Sequence, residues 1–173
     1  TDVANLSIRV YDSDLGIYPD NVNTTFWITE DYVNYSVSLK CKTNDGYCYV
    51  LYDPACTSLA GIQKWVAGTT DSCYKPLNIS EQNLTVYGQL YLSIIRPSSG
   101  EILKRDKVES LNASVTSDCS EEGYITDALV KWYNSTWELI AEGQNASWKV
   151  PAAYELGPET IYVEAKRSYY HDD

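Results

Sequence analysis

The residues that could do covalent or acid–base chemistry are few and badly placed for it. The single histidine, His171, is third from the end of the chain. That removes most nucleophile–His–carboxylate triads and most His-based metal centres. Ser72-Cys73-Tyr74-Lys75 has the Ser-x-x-Lys spacing in which an amine can activate a hydroxyl, but the motifs that accompany it are missing. Asp12, Asp14 and Asp20 lie close in sequence and, with loop carbonyls, are candidate Ca²⁺ ligands. No EF-hand spacing or repeated Asp-Gly pattern accompanies them, so a solvated acidic loop is the expectation. Trp65 and Trp137 are candidates either to stack on sugar rings or to cover the ends of a core. The sequence therefore predicts no catalytic residue, no cofactor, no metal and no enzyme.

Covalent modification is the chemistry the sequence does offer. Of ten asparagines, eight stand in Asn-x-Ser/Thr triplets: Asn5, Asn23, Asn34, Asn78, Asn83, Asn112, Asn134 and Asn145. Ser and Thr make up 30 of the 173 residues, so chance would give about two such triplets. N-glycosylation of most of these sites is expected, which places the protein outside the cell or on its surface. Five cysteines point to an oxidising compartment. Cys41 and Cys48 flank a turn signal and are expected to pair, with the loop centred between Asn44 and Asp45 so that the two cysteines face each other. A two-residue Asp45-Gly46 turn would oppose Cys48 to Thr43 instead. Closing so short a loop contributes about 2.5 kcal/mol in the chain-entropy picture. Cys56 and Cys73 are then expected to pin the base of a long loop over 53–76, which leaves Cys119 over.

The chain has 24 acidic and 13 basic residues and a net charge of −11. That excess excludes a phosphate-binding face, hence nucleic acid as a partner. No apolar run approaches the roughly 18–20 residues of a membrane-spanning helix. The chain begins at Thr1, contains no Met and shows no basic-then-apolar leader, so it reads as a processed or excerpted segment.

The elements that must carry these residues are strands. Alternating apolar runs with turn residues every 8–15 positions mark an all-β sandwich architecture. The inward sets are Leu6, Ile8 and Val10; Val33, Tyr35, Val37 and Leu39; Leu111, Ala113 and Val115; Ala128, Val130 and Trp132; Ala146, Trp148 and Val150; and Ile161, Val163 and Ala165. On these patterns Asn34, Asn112 and Asn145 fall on the polar face. Helical spacing occurs once, at Leu59, Ile62 and Val66, and predicts at most one short helix in the long loop. Asn5-Leu6-Ser7-Ile8 matches Asn83-Leu84-Thr85-Val86, a weak repeat that places a domain boundary near 87–91. The organisation expected is an N-terminal strand at 1–11, a first sandwich at 12–88 and a second at 89–173.

The second half, with Ile94-Ile95-Arg96-Pro97-Ser98-Ser99-Gly100-Glu101, Ser110–Thr116, Ala128–Tyr133 and Leu156-Gly157 before Ile161–Ala165, resembles an immunoglobulin-like module of archaeal and bacterial surface proteins. The resemblance implies a sandwich with Trp132 buried on its third strand. With Cys119 alone, the module departs from the antibody pattern of an inter-sheet disulfide. The first half is a looser match, so the whole reads as two immunoglobulin-like β-sandwich domains in tandem.

The second half yields about six strands where a seven-stranded sandwich needs one more. Tyr169–Asp173 followed by Thr1–Val10 reads as a hairpin, so the missing last strand stands at the other end of the chain. Residues 12–16 span at most about 17 Å, too short to return that strand past a domain stacked end to end. Residues 3–11 are therefore expected to pair with the strand at 159–168 of a neighbouring copy, Leu6, Ile8 and Val10 filling its core. Head-to-tail insertion of this kind does not close and builds a filament. It resembles donor-strand-complemented pili and archaeal surface threads. The functional expectation is a structural subunit of a heavily N-glycosylated extracellular filament or surface array, a homopolymer with covalent N-glycans and no membrane span in this segment. The alternatives are an adhesin or receptor-type binding module, and one period of a longer tandem-repeat surface protein.

Overall fold

The computed structural model describes residues 3–119 and 123–171. The chain divides into two units between Val86 and Tyr87. Every regular element among the described residues is a strand.

Unit 1 contains β1 (Ala4–Arg9), β2 (Asn23–Ile28), β3 (Val37–Lys42), β4 (Tyr47–Tyr52), β5 (Gly61–Thr69) and β6 (Gln82–Val86). One sheet is the pair β1-β4 and the other runs β3-β2-β5-β6. In β4, Cys48, Val50 and Tyr52 are buried while Tyr47, Tyr49 and Leu51 face out, the period of two that one buried face imposes. In β2 the buried set is Thr24, Phe26 and Ile28, on a segment rich in β-branched and aromatic residues. The core joins these to Leu6 and Ala67.

Unit 2 contains β7 (Gly88–Arg96), β8 (Val108–Ser117), β9 (Leu129–Tyr133), β10 (Leu139–Glu142), β11 (Asn145–Lys149), β12 (Tyr162–Lys166) and the two-residue β13 (Tyr170–His171). One sheet runs β11-β8-β7-β13 and the other β10-β9-β12. Leu111, Val115, Val130, Trp132 and Ala165 are fully buried. Trp132 also donates its indole N–H to the Gly143 carbonyl at 2.9 Å, so the buried ring leaves no unpaired donor.

The two units share one plan. β1 pairs with β4 as β8 pairs with β11, and β3-β2-β5 corresponds to β10-β9-β12. Unit 2 adds β7 outside β8, where unit 1 has nothing outside β1. Unit 1 adds β6 outside β5, where unit 2 has nothing outside β12. The second sandwich therefore lacks its own last strand.

Four expectations are corrected. The repeat matching residues 5–8 to 83–86 is not structural, because β1 and β6 lie in different sheets and the counterpart of β1 is β8. The strand expected from Tyr32 begins only at Val37, and Val33 and Tyr35 are exposed. Its first residues are held in a turn by Asp31, whose carboxylate accepts the N–H groups of Val33 and Asn34 at 3.0 and 2.6 Å. Ile62 and Val66 lie on β5, not on a helix. The inward residues of β5 are Gly61, Gln63 and Ala67, and the buried Gln63 broke the apolar alternation. Its amide is fully used, accepting from Thr29 Oγ1 at 2.8 Å and donating to the carbonyls of Glu30 and Leu59.

The fourth concerns residues 4–9. They are not a separate arm but β1 of unit 1, paired antiparallel with β4 from Ala4↔Tyr52 to Arg9↔Tyr47. Leu6 is buried in the core of that unit, with Ile8 and Val10 partly buried. The acidic turn expected from Asp172-Asp173 to Thr1-Asp2 lies outside the described residues.

Candidate assembly edges and glycan-bearing surface

Two sheet edges stand unpaired among the described residues: the side of β12 away from β9, and the side of β1 away from β4. An unpaired edge presents a row of backbone N–H and C=O groups and is a template for another strand. Next to the β12 edge a groove of about 810 Å³ opens between the end of β7 and the segment leading into β12. Its apolar walls include Ile94, Ile102, Leu103, Leu156, Pro158 and Ile161. The walls are braced from behind. Trp148 meets Tyr154 edge-on at 5.3 Å, and Tyr154 donates to Glu159 at 2.9 Å. Glu101 accepts from the Ser98 N–H and pairs with Arg96 at 2.9 Å, which holds its carboxyl below the usual glutamate range.

The β1 edge continues into a tight hairpin. Asp12 and Ile17 bridge, and the Asp12 carboxylate accepts the N–H groups of Asp14 and Leu15, both at 3.0 Å. The turn holds Leu15 69% exposed, with Ile17, Tyr11 and Tyr18 also exposed. Tyr11 and Tyr18 pack at 5.1 Å, and the Arg9 guanidinium lies 3.4 Å above the Tyr18 ring. The hairpin thus leaves β1 as a fixed extension of it. Asp20, the third acidic candidate, accepts the Asp45 N–H at 2.6 Å. Asp12 and Asp20 are therefore turn-forming groups, and the described residues hold no cluster of three or more metal-ligating side chains.

The triplet asparagines spread over both units. Asn5, Asn23, Asn34, Asn78, Asn83 and Asn145 are exposed and Asn112 is partly exposed. Asn112 and Asn145 face each other across β8 and β11. Asn134 differs. It is 5% exposed, its Nδ2 donates to Glu138 at 3.0 Å, and its Oδ1 accepts from Thr136 N, Thr136 Oγ1 and Glu138 N. A glycan would need that same nitrogen, so Asn134 is removed from the surface set. Its turn carries Trp137 at φ 61°, 64% exposed and stacked on Tyr162 at 4.6 Å. Trp65 instead lies on β5 against Phe26 at 5.8 Å, inside the fold.

Cys41 and Cys48 form a disulfide with Cα atoms 5.9 Å apart. The turn is the one at Asp45-Gly46, with φ of 49° and 74° and Asn44 bridged to Tyr47, so the register centred between Asn44 and Asp45 is corrected. Both residues of such a turn need positive φ. A Cβ on Gly46 would also stand 2.6 Å from the Val10 carbonyl oxygen. The bond still forms because β3 and β4 part into different sheets after the turn, so it ties sheet to sheet. Pairing of Cys56 with Cys73 is likewise corrected: Cys73 is a free, exposed thiol, whereas Cys56 is disulfide-bonded, as is Cys119. Ser72 and Lys75 thereby gain no catalytic context, and His171 lies beside the Tyr87 ring at 5.2 Å.

These sheets define the class: a tandem pair of immunoglobulin-like β-sandwich modules. No protein-family model and no curated protein matches the sequence. Among solved structures the chain is similar to the fibronectin(III)-like modules of Clostridium thermocellum CbhA, at 14% identity and a TM-score of 0.39, over 99% of this chain and 82% of that one. So slight a likeness adds nothing to what strand pairing establishes. No helix among the described residues is long and apolar enough to cross a membrane.

Proposed function

We propose that the protein is a non-catalytic structural subunit of a heavily N-glycosylated extracellular filament or surface array. Each copy joins the next through β-strand pairing between unit 2 of one copy and unit 1 of another. The observation that carries this reading is the pair of complementary gaps: β12 lacks a partner on one side and β1 lacks one on the other. β1 need not leave its own unit. It keeps β4 on one edge and offers the other to β12 of a neighbour, so residues 3–11 serve as the joining strand from within the fold. β12 presents Val163 and Ala165 inward, and β1 presents Ala4, Leu6 and Ile8. Main-chain hydrogen bonds along the joined edge supply affinity. The contact is heterologous and does not close on itself, so its repetition makes a fibre. Disulfides and exposed Asn-x-Ser/Thr triplets fit the extracellular compartment.

Negative-stain electron microscopy of concentrated protein is expected to show fibres. Ser7→Cys and Glu164→Cys, each made with Cys73→Ser in separate preparations and mixed with a short bis-maleimide, are expected to cross-link into dimers. Monodisperse single chains at every concentration, without that cross-link, would overturn the reading.

A further inference from the structure

Joining β1 to β12 has a directional consequence. We propose that the Tyr11–Tyr18 hairpin of one copy docks in the apolar groove of unit 2 of the next, so that the groove is a specific self-association site. This inference rests on the strand pairing proposed above.

Polarity comes from the plan the two units share. β6, which fills in unit 1 the place left open in unit 2, runs antiparallel to β5, with Val86 opposite Gly61 at the start of β5. A strand in the same position beside β12 therefore has its C-terminal end at Tyr162. For β1 that end is Arg9, and the hairpin begins two residues further on. The segment just before Tyr162 is the groove wall made by Leu156, Pro158 and Ile161. The same antiparallel pairing that joins the edges thus carries the hairpin to the groove.

The two surfaces match in shape and chemistry. The hairpin has an apolar tip, Leu15 with Ile17, held rigid by the Asp12 turn, so its conformational cost is met before docking. The groove exposes Ile102 at 84% and Leu156 at 80%, large apolar residues facing water on either side of an open cleft. Tyr11–Asp20 contains Asp12, Asp14 and Asp20 and no cation, whereas Lys104–Lys107 contains Lys104, Arg105 and Lys107 against Asp106. A chain of net charge −11 concentrates three of its 13 cations on this one lip. Of the carboxylates lining the groove, Glu101 and Glu159 are engaged with their own neighbours and Glu155 stands on the opposite wall. Hairpin and lip are therefore of opposite sign, which orients the approach as well as attracting it.

The test uses the whole chain on a Cys73→Ser background. Leu15→Cys and Leu156→Cys are prepared separately, mixed and mildly oxidised, and dimers are read on a non-reducing gel. The expected result is a Leu15Cys–Leu156Cys heterodimer as the main product, falling about tenfold when Lys104→Glu and Lys107→Glu are added and recovering with Asp14→Lys. Both variants replace exposed residues, so folding is preserved, and circular dichroism verifies it. The Ser7–Glu164 cross-link is run beside it. If that link forms and the 15–156 link does not, the hairpin proposal is overturned and the strand pairing stands. If only the 15–156 link forms, the docking stands and the edge pairing falls. If neither forms and the protein stays monomeric, both fall.

Discussion

Glu30 is the carboxylate on which most of the polar order of unit 1 converges. It accepts from Ser36 at 2.7 Å and Thr57 at 2.8 Å, and more weakly from Ser58. These hydroxyls, Ser36 and Thr57 foremost, hold its carboxyl below the usual glutamate range against the opposing effect of burial. A depressed carboxylate contributes stability that is present above its unfolded pKa and lost as pH falls through the folded one. Acid titration of unfolding should therefore show stability dropping below the ordinary glutamate range, and Glu30→Gln should flatten that part of the profile and cost about 1 kcal/mol at neutral pH. Urea melts across the acid range check both effects. Asn134 makes a second residue-level case. Glycopeptide mass spectrometry is expected to find it unmodified while exposed sites such as Asn5 and Asn83 carry glycans. Asn134→Ala should cost about 1–3 kcal/mol, since it strands the donors of the Trp137 turn. Triplet spacing marked Asn134 as readily as the rest; only the turn that buries it separates it from them.

At the scale of elements, β1 is an integral strand with one edge to spare. Leu6→Ala is expected to destabilise unit 1 by about 2–3 kcal/mol in thermal or denaturant melts. A free arm would leave the melt of the monomer unchanged. The Cys41–Cys48 bond ties the two sheets of unit 1, so replacing both cysteines with serine should cost about 2–3 kcal/mol by the same measurement. Strand alternation made β1, β4, β8, β9 and β12 readable from sequence. β5 was not readable, because a buried glutamine met by four partners looks polar in a list of residues and apolar only in its surroundings. Which edge each strand leaves open could not be read at all, since period two reports faces and says nothing of neighbours.

For the whole molecule, the acidic excess sets how copies meet. At neutral pH a net charge of −11 keeps copies apart except where opposite charges are gathered, as at the hairpin and its lip. Lowering pH toward the sequence pI of about 4.4 removes that long-range repulsion. Light scattering is expected to show association rising as pH falls from 7 toward that value, in protein freed of its glycans as well as in the native form.

Composition and periodicity alone determined that this is an all-β chain in two halves, dense in glycosylation triplets and poor in catalytic groups. They could do so because residue type and period two are local properties. Pairing is not local. Tertiary structure decided that residues 4–9 belong to the first sandwich, that Cys41 and Cys48 join sheets across an Asp-Gly turn, and that Asn134 is a buried strut. It also decided that the missing strand of the second sandwich is a gap with a counterpart in the first. Each of these depends on which strand lies beside which, and distant segments settle that by burying one another's faces.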